Sequence, residues 1–140
     1  MLINRWGERL CALLFGILFF STTAFAIDRL VFLDVGQGDA ILLQCGDCHL
    51  LVDAGNLATA AQLQNKLSKY DVQHLNYLVI THPHLDHFGG VFAFPVDFRI
   101  DQVVDNGAIS PDWVYFDEYL KWRSGYRYSP LHRGQVLHCG

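Results

Sequence analysis

Apolar positions along the chain fall into short runs separated by glycine, asparagine and aspartate breaks. Arg29 to Val35 is a β-rich apolar run, ended by Gly36-Gln37-Gly38-Asp39. Two further runs, Ala40 to Gln44 and His49 to Asp53, flank the turn pair Gly46-Asp47 and predict a hairpin over residues 40–53. Beyond Ala54-Gly55-Asn56 the period changes. Ala60, Leu63, Leu67 and Tyr70 recur at spacings of three and four, so residues 59–70 read as a helix. Tyr77 to Thr81 contains Leu78-Val79-Ile80 without polar alternation, which predicts a strand covered on both faces. Arg99 to Asp105 predicts another strand. Ser110-Pro111 supplies an N-cap and a proline at the first helical position, and Trp113, Phe116 and Leu120 give the helix its apolar stripe. A last short strand is expected around Gln135 to His138. Strands alternating with helices, with one hairpin among them, predict α/β or α+β layering.

The first 26 residues depart from this pattern. Arg5 and Arg9 precede an unbroken apolar run from Leu10 to Phe20, and Ser21-Thr22-Thr23-Ala24-Phe25-Ala26 follows with a small-x-small end. That is the layout of a cleaved secretory signal, with the cut after Ala26. The run is shorter than the roughly 20 apolar residues of a spanning helix. Membrane contact is therefore expected only through an uncleaved signal. Residues 27–140 would be the exported part, periplasmic or secreted.

Composition changes the picture in two ways. The chain is 140 residues long, 51% hydrophobic and 17% charged, enough for a buried core and too apolar for a disordered chain. Ten Lys+Arg against fourteen Asp+Glu give −4. This disfavours holding nucleic acid by bulk positive charge but not acting on it locally. Past the signal stand Cys45, Cys48 and Cys139. Cys45 and Cys48 flank the two-residue turn, about 5.5 Å apart at Cα, and can form a hairpin disulfide or stay as free thiols. A zinc knuckle completed by His138-Cys139, or a redox pair, fits the context less well. Cys139 is expected to be unpaired.

Directly after the predicted strand comes Thr81-His82-Pro83-His84-Leu85-Asp86-His87-Phe88-Gly89-Gly90. Three imidazoles and a carboxylate within six positions suit zinc. Alternation throws His82 and His84 to one side, and Asp86 and His87 turn back toward a second position. Gly89-Gly90 lets the following backbone approach closely. Asp53 ends an apolar strand and is a candidate acceptor for a ligand's ring N–H. Asp34 and Asp39 stand around the Gly36-Gln37-Gly38 turn; Asp34 is grouped with Asp53 as a supporting carboxylate, and Asp39 is as readily a solvated turn residue.

These stretches resemble the metallo-β-lactamase superfamily, and most closely the metallo-β-lactamase-like domain of ComEC-type competence proteins, which act in DNA uptake. The resemblance rests on Phe32-Leu33-Asp34-Val35-Gly36-Gln37-Gly38-Asp39-Ala40, Leu51-Val52-Asp53-Ala54-Gly55 and Thr81-His82-Pro83-His84-Leu85-Asp86-His87. It implies an αββα sandwich, of which the resemblance covers the N-terminal half, with one or two Zn2+ ions, or Mn2+, at the loop edge. His82 and His84 would bind the first metal, and Asp86 and His87 the second. A metal-bound hydroxide would hydrolyse a phosphodiester, single-stranded or duplex DNA or another phosphoester, with Asp86 orienting or deprotonating the water.

The family continues past the first ligand run with further histidine and aspartate ligands, and no such run occurs here. His132 and His138 stand alone and read as ordinary surface or strand residues. Two alternatives follow. The chain could be a catalytically incomplete fragment whose site a partner chain completes. It could instead be a non-catalytic binding module, for which the aromatic surplus over residues 113–128 would be a base-stacking surface.

Overall fold

In a computed structural model, which describes residues 28–110 and 113–139, six strands pair side by side in the order in which they occur along the chain. The expected signal over residues 1–26 lies outside the described residues, as does Pro111 of the expected helix cap. β1 (Arg29–Phe32), β2 (Ile41–Cys45) and β3 (Cys48–Val52) are antiparallel, joined by an eight-position loop and by the predicted Gly46-Asp47 turn. The sheet then becomes parallel, because each later connection crosses back through helix. α1 (Ala60–Lys69) leads to β4 (His74–Ile80), α2 (Leu85–Phe88) and a 3-10 turn over Gly89–Ala93 lead to β5 (Arg99–Asp105), and α3 (Trp113–Arg123) leads to β6 (Tyr128–Pro130).

Leu42, Leu51, Leu78 and Val103 lie in register across four strands and are fully buried. Leu63 and Leu67 of α1, Phe88 of α2, and Phe116 and Tyr119 of α3 join them in one cluster, so the helices share one face of the sheet. Each such aliphatic or phenyl side chain stabilises the fold by about 1.5–3 kcal/mol. Strand alternation turns Phe32, Ile41, Val52, Val79 and Val104 to the opposite face, where no helix lies among the described residues. Phe32 is 75% exposed there.

The architecture is the expected mixed α/β layering, with corrections in detail. β4 is covered unequally on its two faces: Leu78 and Ile80 are buried, and Val79 between them is half-buried. The last strand is Tyr128–Pro130 and not the segment around Gln135 to His138. β5 recruits it through the Val103 amide, which donates to the Arg127 carbonyl at 2.8 Å. The aromatic surplus is largely packing: Tyr119 lies 5.0 Å from Phe88 and 6.1 Å from Trp122 between ring centroids, and Trp122 lies 4.7 Å from Tyr126.

The cysteines are also corrected. Cys48 is bonded to Cys139, with Cα atoms 5.7 Å apart, and Cys45 is a free thiol. Cys45 and Cys48 do face each other across the hairpin, as read from the turn. The terminal segment competes successfully for Cys48 because it runs back over the helix-free face. There the Tyr77 hydroxyl donates to the His138 carbonyl at 3.0 Å and brings Cys139 to the start of β3. The bond spans 91 residues, and chain entropy makes it worth about 4–5 kcal/mol, against about 2 kcal/mol for a hairpin staple.

Candidate metal centre

The C-terminal ends of the parallel strands β3 and β4 meet at one edge of the sheet. Asp53, the first residue past β3, holds φ +59, the left-handed region that costs a non-glycine residue about 1–2 kcal/mol. That turn sends its carboxylate under the end of β4. The carboxylate is buried, at 2% exposure. It is fully satisfied: the Thr81 amide donates to Oδ1 at 2.7 Å, and the Thr81 hydroxyl (2.7 Å) and His87 Nδ1 (2.9 Å) donate to Oδ2. A buried ion needs such a set to offset its lost hydration.

These bonds fix the histidine tautomers by counting protons. A carboxylate only accepts, so His87 carries a proton on Nδ1, and the neutral ring then presents its lone pair at Nε2. Thr81 has one hydroxyl proton, and Asp53 takes it. The Thr81 oxygen, 3.0 Å from His82 Nδ1, therefore accepts from that ring, and His82 Nε2 is free as well. One buried carboxylate thus presets two imidazoles, one directly and one through Thr81.

Pro83 and the start of α2 fold the run on itself. The His82 ring lies 4.7 Å from that of His84 and 3.9 Å from that of His87, between centroids. Asp86 Oδ1 lies 3.9 Å from His87 Nε2. His82 thus touches His84 and His87, and Asp86 stands beside His87, but no three of these four residues bring their donor atoms within 4.8 Å of one another. Three imidazoles, two with assigned free Nε2 atoms, and one carboxylate fit a divalent cation chemically.

Close backbone packing holds this loop. A Cβ on Gly90 would sit 1.9 Å from the Ala54 carbonyl oxygen, and one on Gly38 would sit 1.9 Å from that of Asp86. The Ala54 amide donates to the His87 carbonyl at 2.7 Å, and the Gly55 amide to the Asp39 carbonyl at 2.9 Å. The β1–β2 loop is thereby pressed against the histidine run. It delivers Asp39, whose Oδ2 lies 4.0 Å from His87 Nδ1. Asp39, Asp53 and His87 offer donor atoms all within 4.8 Å of one another, the one grouping among the described residues that converges closely enough to hold a cation. It draws on the same ring nitrogen that already donates to Asp53.

Asp34 does not belong to this network. Its carboxylate is 86% exposed and pairs with Lys66 at 3.7 Å, because it precedes the Gly36 turn while Asp39 follows it. His132 and His138 make their described bonds elsewhere: the His132 amide donates to Gln135 Oε1, and the His138 carbonyl accepts from Tyr77. Sequence reasoning missed Thr81, whose only signal was its place at the strand end beside His82.

A second buried carboxylate ends β5. Asp105 accepts from the Tyr119 hydroxyl at 2.9 Å, Arg123 at 2.5 Å, the Tyr128 hydroxyl at 2.8 Å and the Gly107 amide at 2.8 Å. Burial, reinforced by Asp105, pushes the Tyr119 phenol far above its ordinary range, so it stays a donor. Asp105 ties α3 and β6 to the sheet and has no side left for a ligand.

A comparison with protein families matches residues 33–133 to the Metallo-beta-lactamase superfamily. No curated protein matches the chain. Among solved structures, a HARLDQ-motif mutant of a metallo-beta-lactamase from Cronobacter sakazakii is similar with a TM-score of 0.57 and 20% identity, over 79% of this chain and 47% of that one. A diphosphatase from the PhnP family is similar with a TM-score of 0.51 and 14% identity, over 73% of this chain and 40% of that one. At these identities the likeness concerns the fold. The chain spans less than half the length of either structure.

Proposed function

The chain belongs to the metallo-β-lactamase superfamily, and on that premise we propose that it is a metal-dependent hydrolase acting on phosphodiesters. The observation that carries this reading is the presetting of two histidine rings by Asp53 and Thr81. These bonds satisfy Asp53 and at the same time orient two partly buried imidazoles as a cation site requires. His82 and His84 would hold one ion and Asp86 and His87 another, Zn2+ suiting the imidazoles best and Mn2+ being the alternative. When bound, the metal supplies Lewis acidity and a water activated near neutral pH.

The chain's own residues do the remaining work. Asp53 holds the His87 proton at Nδ1, and Thr81 holds that of His82 at Nδ1. Asp86, half-buried beside His87, can orient the attacking water and accept its proton. The narrower choice of phosphodiester, with DNA as the candidate, is supported by the ComEC-like Asp34-Val35-Gly36-Gln37-Gly38-Asp39 run and by Asp39 standing beside His87. Export through residues 1–26 would place this activity in the periplasm or outside the cell.

A second reading is favoured by the helix-free face and by the length relative to the two solved structures. In it, a further layer or partner chain supplies the remaining ligands, and this chain alone binds metal without turnover. Titration of Zn2+ and Mn2+ into the chain, paired with His82→Ala/His84→Ala, tests the site; unchanged metal content in that double variant would overturn it. Chelator-sensitive cleavage of bis(p-nitrophenyl) phosphate and single-stranded DNA supports the hydrolase. Stoichiometric metal binding with no cleavage supports the second reading.

A further inference from the structure

Cys48 has two sulfur partners within reach. It is bonded to Cys139 of the terminal segment. It is also the direct cross-strand partner of Cys45, which is free and half-buried. Residues flanking a two-residue turn stand about 5.5 Å apart at Cα, the spacing at which disulfides form. Alternation from Val52 through Leu50 puts Cys48 on the helix-free face, and its partner Cys45 with it. The terminal segment lies on this same face, held by the disulfide and by the Tyr77 hydroxyl on the His138 carbonyl. Cys48, Tyr77, Gln102, Arg127 and His138 line a cavity of about 210 Å³ there.

We infer that Cys45, Cys48 and Cys139 form an internal thiol–disulfide switch that docks and releases the terminal segment. The Cys45 thiolate attacks Cys48 Sγ, the Cys45–Cys48 bond forms, and the Cys48–Cys139 bond breaks. Cys139 leaves as a thiolate and takes up a proton, matching the one Cys45 gave to solvent. Two sulfurs remain oxidised and one reduced throughout, so no outside oxidant or reductant enters. The hairpin needs little rearrangement, because its register already pairs Cys45 with Cys48. The terminal segment loses its covalent tie and keeps the Tyr77 hydrogen bond. Release presents Cys139 as a new thiol.

The test uses the oxidised full chain without added thiol. Samples are held at pH 6 and pH 8, alkylated, digested without reduction and mapped by mass spectrometry. At pH 6 the Cys48–Cys139 peptide pair should dominate, with label on Cys45. At pH 8 label should appear on Cys139, with a matching minor Cys45–Cys48 pair, about tenfold or more faster than in acid, because the thiolate is the attacking form; both samples should approach the same final ratio of the two pairs. Hydrogen exchange over residues 131–139 should rise in step. Cys45→Ser should keep Cys139 unlabelled at both pH values, and Cys139→Ser should oxidise to the Cys45–Cys48 pair. A chain whose Cys139 labelling matches that of Cys45→Ser at every time point overturns the switch. So does an exchange rate that scales with protein concentration, which would mean that chains exchange with one another, and so does a Cys139→Ser variant that stays a dithiol under oxidant.

Discussion

Thr81 donates its one hydroxyl proton to Asp53 across 2.7 Å, and so can only accept from His82. The hydroxyl transmits the charge of a buried carboxylate to a ring that the carboxylate does not touch. Thr81→Val keeps the shape and removes this link. We expect metal affinity to fall about 10–100-fold, with Thr81→Ser restoring it. Competition titration against a chromophoric chelator measures both, and a valine variant with native affinity would remove Thr81 from the site.

Gly90 lies against backbone on its Cβ side, the Ala54 carbonyl oxygen being 1.9 Å from where a Cβ would be. Backbone cannot swing away as a side chain can. Gly90→Ala should cost about 3 kcal/mol and lower metal affinity with it, since the same contact holds α2. Gly125, whose nearest such neighbour is at 3.4 Å, should accept alanine within about 0.5 kcal/mol. Urea unfolding midpoints compare the two.

Asp105 divides its four hydrogen bonds between groups of different cost. Tyr119→Phe removes one buried donor and leaves three, for an expected loss of about 1–2 kcal/mol. Asp105→Ala strands the Arg123 guanidinium and two phenols together, and should cost about 3–5 kcal/mol. A larger loss in the tyrosine variant than in the aspartate variant would contradict this assignment.

At the opposite end of the sheet, burial pushes the Asp101 carboxyl up, but hydrogen bonds from His74 and Arg99 outweigh it and hold the group below its ordinary value. A carboxyl lowered in the folded state binds protons more readily once unfolded. Its contribution is therefore present above the unfolded carboxylate range, near pH 4, and is lost as pH falls through the folded value. Asp101→Asn should flatten the fall of the urea midpoint between pH 5 and pH 3. An unchanged slope would show that other carboxylates carry it.

Local order along the chain made most of the sheet and the metal run readable. The period of Ala60, Leu63 and Leu67 and the turn pair Gly46-Asp47 are signals within a few residues, and they emerge where expected. What stayed hidden depends on contacts distant in sequence. Leu78-Val79-Ile80 reads the same whether one face or two are covered. Asp34 and Asp39 are equivalent on paper; only the packing of Gly38 on Asp86 decides which one reaches His87. The pairing of Cys48 with Cys139 depends on a terminal segment crossing Tyr77, which no nearby residue announces.

The strand order β1 to β6 has a consequence for synthesis. Every strand hydrogen-bonds to the one made just before it, so the sheet can grow by single additions as the chain leaves the ribosome, without waiting for a distant partner. The metal run emerges directly behind β4 and can close on Asp53 while β5 is still being made. Cys139 follows β6 in the chain, so the covalent clasp can only seal a sheet that has already formed.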